Sequence, residues 1–153
     1  MSRDIFLGDE QATLELGKQL ANICPKTRFT IFLEGDLGTG KTTFSRGLLQ
    51  GLGYHGKVKS PTYTLVEYYN LISRPVFHFD LYRVNIPEEL YYLGLDDYCI
   101  SNSLWLVEWA TKGGEQLPNP DLIIVMLYYN NARIANVHVH STLGNEVYKQ
   151  LNR

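Results

Sequence analysis

Residues Phe29–Leu52 read FTIFLEGDLGTGKTTFSRGLLQGL. The stretch opens on an apolar run, Phe29, Ile31, Phe32 and Leu33, which has the composition and length of a buried strand. It then passes through Gly35-Asp36-Leu37-Gly38-Thr39-Gly40-Lys41-Thr42, a full match to the phosphate-loop pattern G-x-x-x-x-G-K-[ST]. Phe44, Leu48 and Leu52 follow at intervals of four, one apolar face of a helix closed by Gly53. Strand, glycine loop and helix in this order are the context the pattern requires.

The residue types explain the chemistry. Glycines at 35, 38 and 40 let the backbone bend so that successive N–H groups point into one concavity. The start of the helix adds its partial positive charge. Lys41 reaches outer phosphates as a mobile point charge, and the Thr42 hydroxyl is placed to ligate Mg²⁺. The whole loop, with Asp36, Leu37, Thr39 and Thr43, is therefore a candidate nucleotide site.

Composition bounds the rest. At 153 residues, with 44% hydrophobic and 20% charged residues, the chain fits one soluble globular domain. A net charge of −2 argues against a broad nucleic-acid footprint. No apolar run approaches membrane-spanning length, and the start, MSRDIFLGDE, lacks a basic-then-apolar signal pattern. Cys24 and Cys99 have no ligand spacing and read as two buried free thiols. These features predict a cytosolic protein.

In chain order, Asp9 is an N-cap for a helix reaching Ile23, with Ala12, Leu16, Leu20 and Ile23 on one face and Pro25 beyond it. After the glycine loop, a strand is expected from Tyr63 to Tyr69. Val76–Phe79 pairs with it as an antiparallel hairpin. Pro87-Glu88-Glu89-Leu90 has the form of a helix start, and Asp96, Asp97 and Tyr98 that of a short second helix. Ser103–Val107 is another buried strand. Leu122–Tyr129 and Ile134–His140 form a hairpin around Asn130-Asn131, and 142–151 a closing amphipathic helix. The expected architecture is α/β: a three-layer P-loop NTPase-like fold in one domain, residues 1–153. Its central sheet would be mostly parallel, with an antiparallel hairpin and flanking helices.

Two of these strands end in an acid, Val76-Phe77-His78-Phe79-Asp80 and Leu104-Trp105-Leu106-Val107-Glu108. Acids at the carboxyl ends of strands in an open α/β sheet face the ligand crevice. One of Asp80 and Glu108 would serve Mg²⁺ and one would orient or activate water. Ser60-Pro61-Thr62 lies where nucleotide-dependent switch loops lie, with Thr62 able to reach the metal. His78 alternates with apolar neighbours and reads as a core histidine. Trp109 reads as packing or a pocket wall, and the tyrosine pairs 68–69, 91–92 and 128–129 as amphipathic faces or a protein interface. Arg46 and Arg83 could stabilise transition-state charge, but surface arginines are commoner than arginine fingers, and they read as the former.

The GTPase signatures Asn-Lys-x-Asp and Asp-x-x-Gly are missing, since Asp80 is followed by Leu-Tyr-Arg. A small-molecule kinase would need a substrate lobe and an arginine-bearing lid, for which no segment is long enough. That reading and a non-catalytic nucleotide-sensing adaptor stand as the alternatives to an ATPase.

The ordered set Gly35–Phe44, Val58–Glu67, His78-Phe79-Asp80-Leu81-Tyr82-Arg83 and Glu108-Trp109, with Pro87–Leu90 and Leu93-Gly94 between, closely resembles the TsaE (YjeE) family over essentially the whole chain. The resemblance implies a cytoplasmic P-loop ATPase that binds ATP or ADP with Mg²⁺. It would act with the TsaB–TsaD heterodimer, TsaD being the direct contact, and would reach tRNA only through that complex. The product is threonylcarbamoyladenosine at position 37 of tRNAs reading ANN codons. The family's nucleotide cycle is thought to reset the complex between turnovers. By position, the resemblance implies that Lys41 binds phosphate, Thr42 and Glu108 serve Mg²⁺, Thr62 lies in the first switch and Asp80 is the catalytic carboxylate. Trp109 is the family's tryptophan marker beside the site, and Arg133 matches a family position whose guanidinium could stack on adenine. Ala110 departs from the pattern, where many members have proline.

Overall fold

The computed structural model describes residues 1–98 and 102–151, so Cys99 lies outside the described residues. Seven strands form one sheet: β1 (Ser2–Leu7), β2 (Phe29–Glu34), β3 (Val66–Asn70), β4 (Pro75–Asp80), β5 (Leu104–Glu108), β6 (Leu122–Tyr129) and β7 (Ala132–Val139). The spatial order is β1-β7-β6-β2-β5-β4-β3. Among the described residues three helices, α1 (Glu10–Ile23), α2 (Lys41–Gly51) and α3 (Thr142–Gln150), complete the regular structure together with short 3₁₀ segments.

The expected parallel majority holds only at the centre. Strand β2 pairs in parallel with β5 and β6, and β5 with β4. The pairs β1–β7, β6–β7 and β3–β4 are antiparallel. The reason is connectivity: the two tight turns, at residues 71–74 and at Asn130-Asn131, can only return the chain antiparallel. One of these antiparallel flanks contains β1, a strand not expected from the sequence. Its core contribution is small, and it forms because β7 offers it an open edge, with Ile5 opposite Ala135 and Leu7 opposite Arg133.

Alternation along each central strand divides the core in two. Phe29, Ile31 and Leu33 of β2, Val76 of β4, Leu104 and Leu106 of β5, and Leu122, Ile124 and Met126 of β6 pack on one face with Leu16 and Leu20 of α1 and Phe44, Leu48 and Leu49 of α2. Phe77, Phe79, Trp105 and Val107 point the other way, against Leu81, Val84, Leu90 and Leu117. That second face is covered by the 3₁₀ segments Pro87–Leu93, Leu95–Tyr98, Ala110–Lys112 and Gly114–Gln116 rather than by α-helices. The helix expected from Pro87 is thus a 3₁₀ segment, stopped by Gly94 in the left-handed region at φ 66°. Full burial of each large side chain contributes roughly 1.5–3 kcal/mol, so both faces matter to stability.

The strand expected from Tyr63 starts instead at Val66. Residues 61–65 turn first: the Leu65 N–H donates to the Pro61 carbonyl at 2.8 Å, and Leu65 sits at φ 69°. A left-handed leucine cannot continue a strand, so pairing with β4 begins only at Val66, opposite Phe79. Buried Arg74 fastens the opposite end of the sheet, donating to the carbonyls of Pro25, Thr27, Asn102 and Ser103. Among the described residues no helix is long and apolar enough to cross a membrane.

Candidate functional site

The parallel strands β2, β5 and β4 run side by side and end together, at Glu34, Glu108 and Asp80. On the face shared with α2, two rows change character as they approach that edge. Val76 gives way to His78 and Asp80, and Leu104 and Leu106 to Glu108; register pairs Asp80 directly with Glu108. The sheet thus delivers its buried acids to the place where β2 turns into the glycine loop.

The loop's shape depends on its glycines. Gly35, Gly38 and Gly40 have φ of 144°, 80° and 103°, conformations that side chains strain. Thr39, almost fully buried, ties the bend by donating its hydroxyl to the Asp36 carbonyl at 2.7 Å. Asp36, Leu37 and Gly38 lie exposed at the tip.

The helix that follows is finished differently from its neighbours. The α1 N-terminus is capped by Asp9, whose carboxylate accepts from the Ala12 N–H, and α3 by the Ser141 hydroxyl. The N-cap of α2 is Gly40, with no side-chain cap. The first-turn N–H groups of α2, at Lys41, Thr42 and Thr43, therefore face the loop with the positive end of the helix dipole and no acceptor of their own. An anion is the group such an end takes.

A cavity of about 360 Å³ opens there, lined among others by Lys41, Thr42, Thr62, Asp80, Glu108 and Trp109. Lys41, only 6% exposed, holds its Nζ 3.8 Å from Glu108 Oε1 and 4.7 Å from the centroid of the Trp109 ring. Trp109 reaches this position through a left-handed backbone, φ 56°, directly after β5, and packs edge-on against Tyr82. Asp80 accepts from the Tyr82 N–H at 3.0 Å and from the Thr62 hydroxyl at 3.2 Å. Thr62 is in turn 2.8 Å from the Ser60 hydroxyl.

The oxygen donors lining this cavity include the Thr42 and Thr62 hydroxyls and the two carboxylates of Asp80 and Glu108. Oxygen donors of this kind suit a hard cation such as Mg²⁺, which needs only one or two protein carboxylates when phosphates and waters complete its shell. Thr42 and Glu108 both line the cavity, and Asp80 stands beside Glu108 on the neighbouring strand β4.

On the other side of the loop lies a cleft of about 220 Å³ lined by Asp9, Glu10, Thr13, Gly38, Gly40, Thr43, Asn131, Ala132 and Arg133. Arg133 lies over the Tyr128 ring at 4.5 Å and donates to the Gly38 and Ala132 carbonyls, so part of its guanidinium already serves the loop. Arg46 is bonded to Glu10, and Arg83 stacks over Tyr63. Neither points a free guanidinium at the cavity.

Two features escaped the sequence reading. His78 is not only a core residue: its Nε2 lies 2.7 Å from Glu108 Oε2. Tyr128 reaches across from β6 to hold the loop at the Leu37 carbonyl. The signal for His78 was its i, i+2 relation to Asp80, which puts both on one face of β4. Tyr128 carried no local signal, because its partner is 91 residues away.

Known proteins agree with one another about this chain. Residues 7–135 match the family described as threonylcarbamoyl adenosine biosynthesis protein TsaE. The protein named tRNA threonylcarbamoyladenosine biosynthesis protein TsaE in Haemophilus influenzae is 44% identical over 146 residues, 93% of this chain and 92% of that one. The protein of the same name in Synechocystis is 41% identical over 117 residues, 76% of this chain and 73% of that one. The crystal structure of YdiB from Bacillus subtilis superposes with a TM-score of 0.81 at 30% identity, covering 100% of this chain and 95% of that one. With a family match that takes in both the glycine loop and the two strand-end acids, and relatives aligned over most of their length, the chain belongs to the TsaE family.

Proposed function

We propose that this chain is a magnesium-dependent ATPase, a single P-loop NTPase-type domain spanning residues 1–153. It would serve the cytoplasmic machinery that makes threonylcarbamoyladenosine at position 37 of tRNAs reading ANN codons. The observation that carries the reading is the uncapped start of α2, which opens with Lys41 into the same cavity as Thr62, Asp80 and Glu108. The names of its relatives supply the pathway.

In this reading the backbone N–H groups of residues 38–43 cradle the phosphates of ATP or ADP, and Lys41 leaves Glu108 for the outer phosphates. Thr42 and Glu108 hold Mg²⁺, which when bound neutralises charge developing on the transferred phosphoryl group. Asp80 orients and activates the attacking water, and Thr62, bonded to it, couples the 60–64 turn to the state of the γ-phosphate. The nucleoside lies in the cleft of Thr43, Asn131 and Arg133, with the Arg133 side chain beside the base.

Hydrolysis by the chain alone would be slow. Both nearby arginines are committed elsewhere, and a missing arginine finger is worth roughly 10³–10⁵ in rate. The partner is the TsaB–TsaD pair, with TsaD as the direct contact, and it is the pair that holds the tRNA. A net charge of −2 on this chain accords with that division.

The test is ATP hydrolysis by the purified chain, alone and with a TsaB–TsaD pair, for wild type and Asp80→Ala. Stimulation that disappears in the variant is the expected result. Turnover of tens per second without partners would reject the slow-ATPase reading. Phosphate transfer to a small acceptor in place of water would favour the kinase, and full function in Asp80→Ala a nucleotide-sensing adaptor.

A further inference from the structure

His78 is the one polar side chain at the core end of the row that finishes in Asp80, and it is 3% exposed. It stands on the α2 face of β4, while Glu108 projects from the same face of the neighbouring strand, whose register sets Leu106 opposite His78. Its Nε2 lies 2.7 Å from Glu108 Oε2. Its Nδ1 is buried and has no hydrogen-bond partner among the described residues.

The contact at Nε2 and the unpartnered Nδ1 together fix the tautomer. A carboxylate oxygen accepts and cannot donate, so the close approach requires the proton on Nε2. A proton on Nδ1 alone would leave a buried donor without an acceptor and set two lone pairs against each other at Nε2. The imidazole therefore gives its N–H to Glu108 and keeps a bare lone pair on the buried Nδ1.

The consequence falls on Glu108. A strand-end glutamate has three rotatable bonds and ordinarily swings among several rotamers. Here Oε2 is held by His78 from within the sheet, and Oε1 is the oxygen that faces Lys41 at 3.8 Å. We propose that His78 is a positioning residue: by donating to Oε2 it locks the Glu108 rotamer and presents Oε1 to a divalent cation in the cavity. The inference rests on the cation reading of that cavity. A side chain needed only to fill space would be served by an apolar residue of similar size, without the hydrogen bond.

Hydrogen bonds that orient a metal's ligands typically govern its affinity by about 10–100-fold. The test uses Mn²⁺ as the probe, its binding measured by electron paramagnetic resonance on full-length protein saturated with a non-hydrolysable ATP analogue. His78→Leu keeps apolar bulk without the donor, His78→Gln carries an amide N–H that reaches Oε2, and His78→Asn is too short to do so. The expected result is an affinity about 10-fold or more below wild type in His78→Leu and His78→Asn, with His78→Gln within about 3-fold. Wild-type Mn²⁺ affinity in a folded His78→Leu or His78→Asn protein overturns the proposal, as does an equal loss in His78→Gln. Should His78→Leu not fold, the Gln and Asn variants decide by the same criterion. Wild-type protein that binds the analogue but takes up no Mn²⁺ overturns the cation reading itself, an outcome distinct from failure of the His78 role.

Discussion

The Tyr128 hydroxyl donates to the Leu37 carbonyl at 2.6 Å, joining the β6–β7 hairpin to the exposed tip of the glycine loop. Arg133, stacked on the same ring, binds the next carbonyl, Gly38, at 3.2 Å. A loop of three left-handed glycines has much freedom to lose on binding, and these two side chains restrain it beforehand. Tyr128→Phe removes one exposed neutral hydrogen bond, worth about 1 kcal/mol. ADP affinity should therefore fall about 5-fold, and the melting temperature should drop by about 2–4 °C. Titration calorimetry checks this, and an unchanged dissociation constant would show that the contact does not preorganise the loop.

Helices α1 and α2 cross with their backbones in touch. A Cβ built on Gly47 would lie 2.2 Å from the Leu14 carbonyl oxygen, and one on Gly17 2.4 Å from that of Phe44. In a free helix, replacing glycine by alanine gains up to about 1 kcal/mol. Here the methyl must push two backbones apart, an overpacking cost of about 1–3 kcal/mol that exceeds the gain. Gly47→Ala should lower the urea midpoint and so run against propensity. A midpoint at or above wild type would mean that the helices separate freely.

Burial pushes the Cys24 thiol from 9.0 to about 12, Arg74 opposing and Asp121 reinforcing the shift. The unfolded chain releases this proton near 9, whereas the folded chain keeps it. Between those values the folded state binds more protons, and stability falls as pH rises. The contribution is complete below pH 9 and declines by roughly 1 kcal/mol per pH unit above it. Tyr69, also raised by burial, acts in the same direction. Urea unfolding between pH 8 and 11 should show a shallower alkaline decline in Cys24→Ala than in wild type. Equal slopes would place the linkage elsewhere.

What was legible in the sequence follows from the range of the interactions. Strand β2, the glycine loop and α2 are contiguous, so one motif with its flanking periodicity revealed them. The strand-end acids Asp80 and Glu108 were readable because apolar runs precede them, although only register shows that they stand side by side. Features set by distant partners were not readable. Strand β1 exists because β7 has a free edge, and β3 starts late because Leu65 takes a left-handed turn that leucine rarely adopts. Arg74 stands among turn residues in the sequence, and only the fold closes four carbonyls from two other segments around it. His78 was correctly placed in the core, but its chemistry lay on the neighbouring strand, 30 residues away.

Thr62 and Asp80 carry the last prediction. Asp80 has one oxygen fixed by the Tyr82 N–H and the other by the Thr62 hydroxyl, which itself meets Ser60. The first bond is local, reaching only two residues along the chain from the strand end. The second crosses to a turn that carries exposed Tyr63 and Thr64 and can change partners without disturbing the sheet. If that exchange prepares Asp80 for water, Thr62→Ala should lower partner-stimulated hydrolysis by about 10-fold or more, a barrier change of roughly 1.4 kcal/mol. On the proposed reading, in which the loop and the start of α2 hold the nucleotide, ATP affinity should stay within about 3-fold of wild type. Thr62→Ser restores the hydroxyl without the methyl and should recover most of the rate. A serine variant as slow as the alanine one would assign the effect to packing of the threonine methyl rather than to the hydrogen bond. An alanine variant at the wild-type rate would remove Thr62 from the chemistry and leave Asp80 to act with Tyr82 alone.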